Sequence, residues 1–159
     1  MTTPHHPFAF RPVNDQAHAA RDGNAGPRLV APGSTTQEDF GLFEIEISPG
    51  ESTPSAHYHT SFSESFYVLD GRVRLRLGDD IETAGPGDFA YVPRHGLHGF
   101  ANATDQPARI LILFTPGVAR EDYFAELIDL HSRPDPPTCA EVDAVARRHD
   151  QINVHLDDQ

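Results

Sequence analysis

One stretch near the middle of the chain carries the most informative pattern in the sequence: His57-Tyr58-His59-Thr60-Ser61-Phe62-Ser63-Glu64. Side chains two positions apart on a β-strand lie on the same face, so His57 and His59 would point together and Tyr58 away from them. Glu64 can join the two histidines only if the polar bend between them turns the chain into a neighbouring strand. An isolated pair of histidines is more often a surface feature than a metal site, so the interpretation depends on further donors.

A fourth donor lies downstream on a predicted pair of strands. Phe89 to Val92 has strand composition, Pro93-Arg94-His95-Gly96 is a turn, and the returning strand from Leu97 to Asn102 carries His98. The predicted metal donors are three imidazoles and one carboxylate: His57, His59, Glu64 and His98. This set suits one divalent transition metal (iron, manganese, nickel, cobalt or zinc), and the absence of a thiolate disfavours a closed structural zinc site. His95 stands in the turn, where we expect it to be exposed or to contact a ligand from outside.

Short strands separated by turns dominate the middle of the chain. Phe43, Ile45 and Ile47 alternate with polar residues, which is the period of a half-buried strand. From Phe66 to Leu77 we predict a hairpin around the turn Asp70-Gly71. Turn residues recur downstream at the spacing of an all-β sandwich or barrel.

The C-terminal part has a different period. From Tyr123 to Ile128 the apolar residues recur at helical spacing, and a second helix is predicted to begin at Thr138, which forms a capping-box pattern with Glu141. Two placements of the first helix are open. It could cap the mouth of the barrel, or it could pack against the outside of a sheet.

The two histidine blocks resemble the paired motifs of the cupin superfamily. The first motif ends at Gly71 and contains three of the predicted donors, and the second comprises Gly87, Pro93, His98 and Asn102. His95 occupies a position where the family usually has glycine. The resemblance implies a double-stranded β-helix, the jelly-roll barrel of cupins, with the metal held inside the barrel by the residues matching the family's ligands. The surrounding sequence is similar to the small quercetinase-like cupins.

This resemblance also divides the chain. It covers residues 28–118 as the barrel, and leaves residues 1–27 as an N-terminal arm without a hydrophobic period and residues 119–159 as a helical extension. Open jelly-roll edges are normally covered in natural proteins, so we predict a homodimer in which sheet edges or the arm cross between subunits.

Composition excludes several classes of function. The chain has 159 residues, 12 basic and 24 acidic side chains and a formal net charge of −12, which disfavours nucleic acid as a partner. All the basic residues are arginine, so Schiff-base chemistry and phosphate-binding P-loops are absent. No apolar run is long enough for a membrane span. No secretory signal is recognisable, and the single cysteine, Cys139, cannot form an internal disulfide, so we expect a cytoplasmic protein.

Three functions fit the predicted site. The first is a metal-dependent dioxygenase that uses O₂ to oxidise a small hydroxy-aromatic or enol substrate, with Glu64 as both ligand and proton acceptor. The second is a redox-neutral metal-dependent isomerase, cyclase or hydrolase, and the third is a non-catalytic small-molecule-binding cupin. Other residues that could line the pocket or support the ligands are His95, Phe66, Val68, Phe100, Asn102 and Phe114. Aromatic residues on barrel strands are, however, more often core than pocket.

Overall fold

The structure, a computed structural model, describes residues 8–23, 25–50, 55–102 and 104–156. Within these ranges the chain forms ten strands and two α-helices. Their bounds, in chain order, are β1 Arg28–Ala31, β2 Gly41–Ile47, β3 Ala56–Tyr58, β4 Ser63–Asp70, β5 Val73–Leu77, β6 Asp80–Ala84, β7 Phe89–Val92, β8 His98–Ala101, β9 Ala108–Thr115, α1 Arg120–His131, α2 Cys139–Arg148 and β10 Ile152–Val154.

The strands form two five-stranded antiparallel sheets that face each other. The first sheet has the order β1-β2-β9-β4-β7 and the second has the order β10-β3-β8-β5-β6. A hydrophobic core fills the space between them: Phe43, Ile47, Phe62, Phe66, Val68, Val73, Leu75, Ala84, Val92, Ala108, Ile110, Ile112 and Phe114. This arrangement confirms the predicted jelly roll with C-terminal helices.

The predicted hairpin at Asp70-Gly71 is wrong. Strand β4 pairs with β7 and β9 in the first sheet, whereas β5 pairs with β6 and β8 in the second. The chain therefore crosses between sheets at this turn, and Val68 and Val73 reach the same core from opposite sides. The two-residue hairpin lies one strand later, at Gly78-Asp79 between β5 and β6. Alternation identifies a strand but does not say which sheet it joins.

The N-terminal arm lies against the barrel of its own chain where the structure describes it. The guanidinium of Arg11 donates hydrogen bonds to the carbonyl oxygens of Leu29 and Val30, at 3.0 and 3.2 Å. His18 forms an isolated β-bridge with Arg28. The arm therefore extends the edge of the first sheet, and residues 1–7 of the predicted arm lie outside the described ranges.

The C-terminal extension contains both predicted helices and one strand that the sequence did not predict. Helix α2 follows the capping box of Thr138 and Glu141, which confirms that prediction. Strand β10 then returns to the barrel and pairs with β3, with Asn153 opposite His57. Within the described residues, neither helix combines the length and the apolar character needed to cross a membrane.

Candidate metal centre

The four predicted donors meet between the two sheets. His57 on β3 and His98 on β8 are direct cross-strand partners in the second sheet. Glu64 lies near the start of β4 in the first sheet, and His59 follows β3. The structure thus brings together side chains from both walls of the barrel, as the spacing predicts.

Close packing makes the four donors one cluster. One potential ligand atom from each side chain lies within 4.8 Å of the others. All four residues are buried, with exposed fractions of 8% for His57, 2% for His59, 4% for Glu64 and 1% for His98. The Nε2 atoms of His59 and His98 each lie 2.9 Å from Oε2 of Glu64.

Hydrogen bonds on the far side of two imidazoles show that this cluster fits a cation. Nδ1 of His59 lies 2.7 Å from the carbonyl oxygen of Asp150, and Nδ1 of His98 lies 2.9 Å from that of Gly96. A carbonyl only accepts, so each Nδ1 is the donor and carries the proton. Nε2 of each ring then faces the Glu64 carboxylate, an arrangement that a proton or a metal ion between the two groups must stabilise. Nδ1 of His57 is also buried and has no hydrogen-bond partner in the described part of the chain.

The charges of the cluster suit a divalent ion. Burial, reinforced by His98, lowers the pKa of His57 to about 3, so this imidazole is neutral and able to coordinate. Burial of Glu64 opposes ionisation, but hydrogen bonds from His59 and His98 outweigh it and hold its pKa below the usual value. Burial lowers the pKa of His98, but its contact with Glu64 dominates and the net shift is upward. Three imidazoles and one carboxylate would leave a divalent ion with a formal charge of about +1.

The C-terminal extension supports the donors from outside. The carboxylate of Asp150 accepts hydrogen bonds from the backbone N–H and hydroxyl groups of both Thr60 and Ser61, at 2.6 to 3.1 Å. Its carbonyl oxygen orients His59. One residue of the extension therefore fixes both His59 and the bend that leads from it to Glu64.

A cavity of about 210 Å³, here called the inner chamber, opens on two of the four donors, His57 and Glu64. Its lining combines polar and apolar side chains: Ser55, His57, Glu64, Phe100, Ile112, Phe114, Arg120, Tyr123, Phe124, Leu127 and Gln151. Helix α1 supplies Arg120, Tyr123, Phe124 and Leu127, so it caps the mouth of the barrel. Of the two placements left open by the sequence, the structure shows this one.

The predicted pocket residues fall into different environments. Phe100 and Phe114 line the inner chamber, whereas Phe66 and Val68 belong to the core between the sheets. Asn102 is buried away from the chamber, where its amide nitrogen donates to the carbonyl oxygen of Ile47 at 3.1 Å and its oxygen accepts from Thr104. Asn102 therefore organises the loop after β8.

His95 lies in the turn before β8 with an exposed side chain. Its φ of 66° is left-handed, as expected at a position where cupins usually have glycine. Its backbone N–H donates to the carbonyl oxygen of His59 at 2.6 Å. The backbone of His95, rather than its imidazole, contacts the donor cluster.

Sequence reasoning missed Arg120 and Gln151. Both line the inner chamber, and both are buried, with exposed fractions of 3% and 7%. Neither belongs to a motif, because their burial results from the packing of the C-terminal extension on the barrel. The sequence signal that could have drawn attention to Arg120 is its place at the first turn of a predicted helix after Pro116-Gly117.

Comparisons with known proteins agree with this architecture. A cupin-domain family model matches residues 43–114, which include all four donors. The chain is 26% identical over 110 residues to the tetracenomycin polyketide synthase protein TcmJ of Streptomyces glaucescens, spanning 69% of this chain and 73% of that protein. It is 25% identical over 132 residues to quercetin 2,3-dioxygenase of Bacillus subtilis (strain 168), spanning 81% of this chain but only 38% of that protein.

A solved structure adds a likeness over most of both chains. The polyketide cyclase RemF from Streptomyces resistomycificus superposes with a TM-score of 0.54 and 27% identity, covering 74% of this chain and 92% of that one. Together with the family match and the paired motifs on two facing sheets, this likeness shows that residues 43–114 form a cupin domain within a double-stranded β-helix.

Proposed function

We propose that the protein is a metal-dependent enzyme that closes a ring in a polyketone or polyphenol substrate without net oxidation. The observation that carries this proposal is that two of the buried donors, His57 and Glu64, line a chamber that adjoins a second, larger cavity. A second cavity of about 490 Å³, the outer groove, lies between the α-helices and β10. It shares four lining residues with the inner chamber: Ser55, Tyr123, Leu127 and Gln151. Adjoining cavities of this kind suit an elongated, mostly apolar molecule that presents oxygens at one end.

The donor cluster supports proton transfer on such a substrate. A divalent ion held by the four residues would polarise a carbonyl oxygen and lower the pKa of an adjacent enol or phenol. Glu64 is ionised and lines the inner chamber, so its carboxylate can accept a proton from a carbon flanked by two carbonyl groups. That carbon forms a bond to a second carbonyl carbon, whose oxygen receives the electron pair and then the proton. No oxidant is required, and subsequent loss of water leaves an unsaturated ring.

Tyr123 offers a second polar group in the lining of the chamber. Burial raises the pKa of its hydroxyl, so the group stays protonated at neutral pH. It can therefore donate a hydrogen bond to the carbonyl oxygen that gains charge as the ring closes.

The similarities to RemF and TcmJ support a cyclase. One is named as a polyketide cyclase and the other as a polyketide synthase protein, and each similarity covers more than two thirds of both chains. A second candidate is a dioxygenase, which the 25% identity to quercetin 2,3-dioxygenase favours. The two candidates differ in one measurable requirement, because only the dioxygenase consumes O₂.

The test compares conversion under air and under nitrogen. Protein loaded separately with zinc, iron, manganese, nickel or cobalt is incubated with linear poly-β-ketone acids and with flavonols. A cyclase converts the polyketones to products of unchanged mass or of mass reduced by water, equally fast in both atmospheres. Stoichiometric oxygen uptake would establish the dioxygenase instead, and no conversion with any metal would favour a binding module.

The role of Glu64 is tested in the same assay. Glu64→Gln keeps the size of the side chain but removes the proton acceptor, so turnover should fall by roughly 10²–10⁴ at equal metal content. Glu46→Gln, an exposed change on β2, is the matched control and should leave turnover unchanged. Equal loss in both variants would contradict the assignment.

We also propose the homodimer, with the edge of the first sheet as its interface. Edge strand β7 and its neighbour β4 expose three aromatic side chains: Tyr67 at 43%, Phe89 at 66% and Tyr91 at 59%. Exposed aromatic residues on an open edge favour association. Light scattering should give the mass of a dimer, and Phe89→Asp should shift it toward the monomer. A monomer mass for the unaltered protein across micromolar concentrations would reject the proposal.

A further inference from the structure

A cationic side chain lies buried at the inner chamber, outside the donor cluster. Arg120, the first residue of α1, is 3% exposed and lines the chamber together with His57 and Glu64. Four aromatic rings surround the guanidinium, with centroids 4.1 to 5.5 Å from its central carbon: Phe62, Phe114, Tyr123 and Phe124. The charge is therefore almost completely removed from water.

The hydrogen-bond partners of Arg120 do not neutralise this charge. Nη1 donates to the carbonyl oxygen of His149 at 3.1 Å, and Nη2 donates to Oε1 of Gln151 at 2.9 Å. Both acceptors are uncharged. Nε is buried and has no hydrogen-bond partner in the ranges that the structure describes. Burial lowers the pKa of Arg120, which reflects the free-energy cost of keeping a cation in this place.

A structural role alone accounts for only part of this arrangement. The two hydrogen bonds tie the start of α1 to the segment after α2, and an uncharged amide could make similar bonds without burying a charge. The contacts with aromatic rings stabilise a cation. They do not use the unpartnered N–H, and a buried donor without an acceptor is destabilising. The carboxylate of Glu64 already favours the cation from the same chamber without a hydrogen bond to it, and an anionic oxygen of a ligand in the chamber would stabilise the charge further.

We propose that Arg120 is a specificity-determining residue that binds a second anionic oxygen of the substrate, such as a carboxylate or phenolate, while the donor cluster binds the first. The inference rests on the proposed function for the identity of the reaction, but it concerns binding alone. It narrows the substrate class to molecules with two acidic oxygen groups joined by an apolar body. A planar guanidinium suits the two oxygens of a carboxylate better than an ammonium does.

The experiment measures binding without turnover. Zinc-loaded protein is titrated by calorimetry with 6-hydroxy-2-naphthoate and with 2-naphthol, which differ by one carboxylate. We expect the naphthoate to bind more tightly. In Arg120→Gln its Kd should rise about 10- to 100-fold, whereas the Kd for 2-naphthol should change little. The Kd of the naphthoate for Arg120→Lys should lie between the values for Arg120→Gln and for the unaltered protein. Arg148→Gln, which removes an exposed arginine of the same extension, should have the same Kd as the unaltered protein.

Each result decides for or against the role of Arg120. An unchanged preference for the naphthoate in Arg120→Gln would overturn it, even if that variant were less stable, because a structural role lowers the melting temperature without changing the preference. Repeating the titration on metal-free protein separates the guanidinium from the metal, since the effect of Arg120→Gln should persist there. If neither Arg120 variant folds, the absence of any preference in the unaltered protein would overturn the proposal.

The outcome is independent of the proposed cyclisation. Loss of the preference in Arg120→Gln with no ring closure in any assay would leave the binding role intact and reject the cyclase. Ring closure with no dependence of binding on Arg120 would support the cyclase and reject the binding role of Arg120.

Discussion

The barrel and the C-terminal extension contribute to the same site in different ways. The barrel supplies the four donors, two of them paired across neighbouring strands and one from the facing sheet. The extension supplies the roof of the inner chamber and, through Asp150, the support of His59. Under the two proposals, the barrel would carry the metal-binding chemistry, whereas the extension would provide the groups that distinguish one substrate from another. Substitutions in the barrel and in the extension should therefore affect the site separately.

Removing a barrel donor should have the largest effect. His98→Ala should lower metal occupancy from about one ion per chain to nearly none, because the ion loses its ligand on β8 of the second sheet. The melting temperature should also stop depending on added metal, because binding to the native state no longer stabilises it. Metal analysis of protein purified without a polyhistidine tag provides the measurement.

A neighbouring histidine serves as the control for this change. His95→Gly removes only an exposed imidazole, because glycine adopts the left-handed φ of 66° at this position without strain. It should retain full occupancy. Loss of metal in His95→Gly with retention in His98→Ala would show that the donor set is wrongly assigned.

Removing the support that comes from the extension should have an intermediate effect. Asp150→Ala deletes the carboxylate that holds Thr60 and Ser61, and it places alanine at a φ of 53°. We expect metal affinity to fall about 10- to 100-fold, as for other groups that orient ligands from outside. The free energy of unfolding should fall by about 2 kcal/mol, measured by urea titration.

Asp150→Asn sharpens this test, because asparagine tolerates a left-handed φ and keeps one acceptor oxygen. Its effects should be smaller than those of alanine. Metal affinity equal to that of the unaltered protein in both variants would show that the barrel holds its ligands without the extension.

The same division explains what could be predicted from the sequence. His57 and His59 share a face because the period of a strand is fixed at two, so their convergence follows from local geometry. The turn residues around Gly71 correctly marked a reversal, but local pattern could not tell a hairpin from a crossing between sheets. Strand β10 has only three residues, too few for a recognisable alternation. The burial of Arg120 depends on contacts with Gln151, which lies far along the chain, so the residues around Arg120 in the sequence do not predict it.

The smallest expected effect lies in the extension, far from the donors. Hydrogen bonds from the backbone of Thr138 and from Arg133 lower the pKa of Glu141 to about 2. A depressed carboxyl pKa means that the ionised group stabilises the folded state above its unfolded pKa of about 4.3, and that this contribution is lost as the pH falls toward 2. Glu141→Gln should therefore lower the melting temperature by roughly 2 °C or less above pH ~5.

The pH dependence separates this effect from general acid unfolding. The difference in melting temperature between Glu141→Gln and the unaltered protein should shrink between pH ~4.5 and pH ~2. A difference that grows over this interval would contradict the capping role. Metal content should be the same in both proteins at neutral pH, because helix α2 supplies no donor.

Anomalous X-ray diffraction from crystals of the tag-free protein grown with zinc tests the central claim most directly. The account predicts one strong peak between the two sheets, about 2.0–2.2 Å from a nitrogen of His57, His59 and His98 and from an oxygen of Glu64. It also predicts that Asp150 stays hydrogen-bonded to His59 beneath the roof formed by α1. The account would be contradicted by a peak at another place in the structure. It would also be contradicted if no ion lay among these four side chains in the presence of excess zinc.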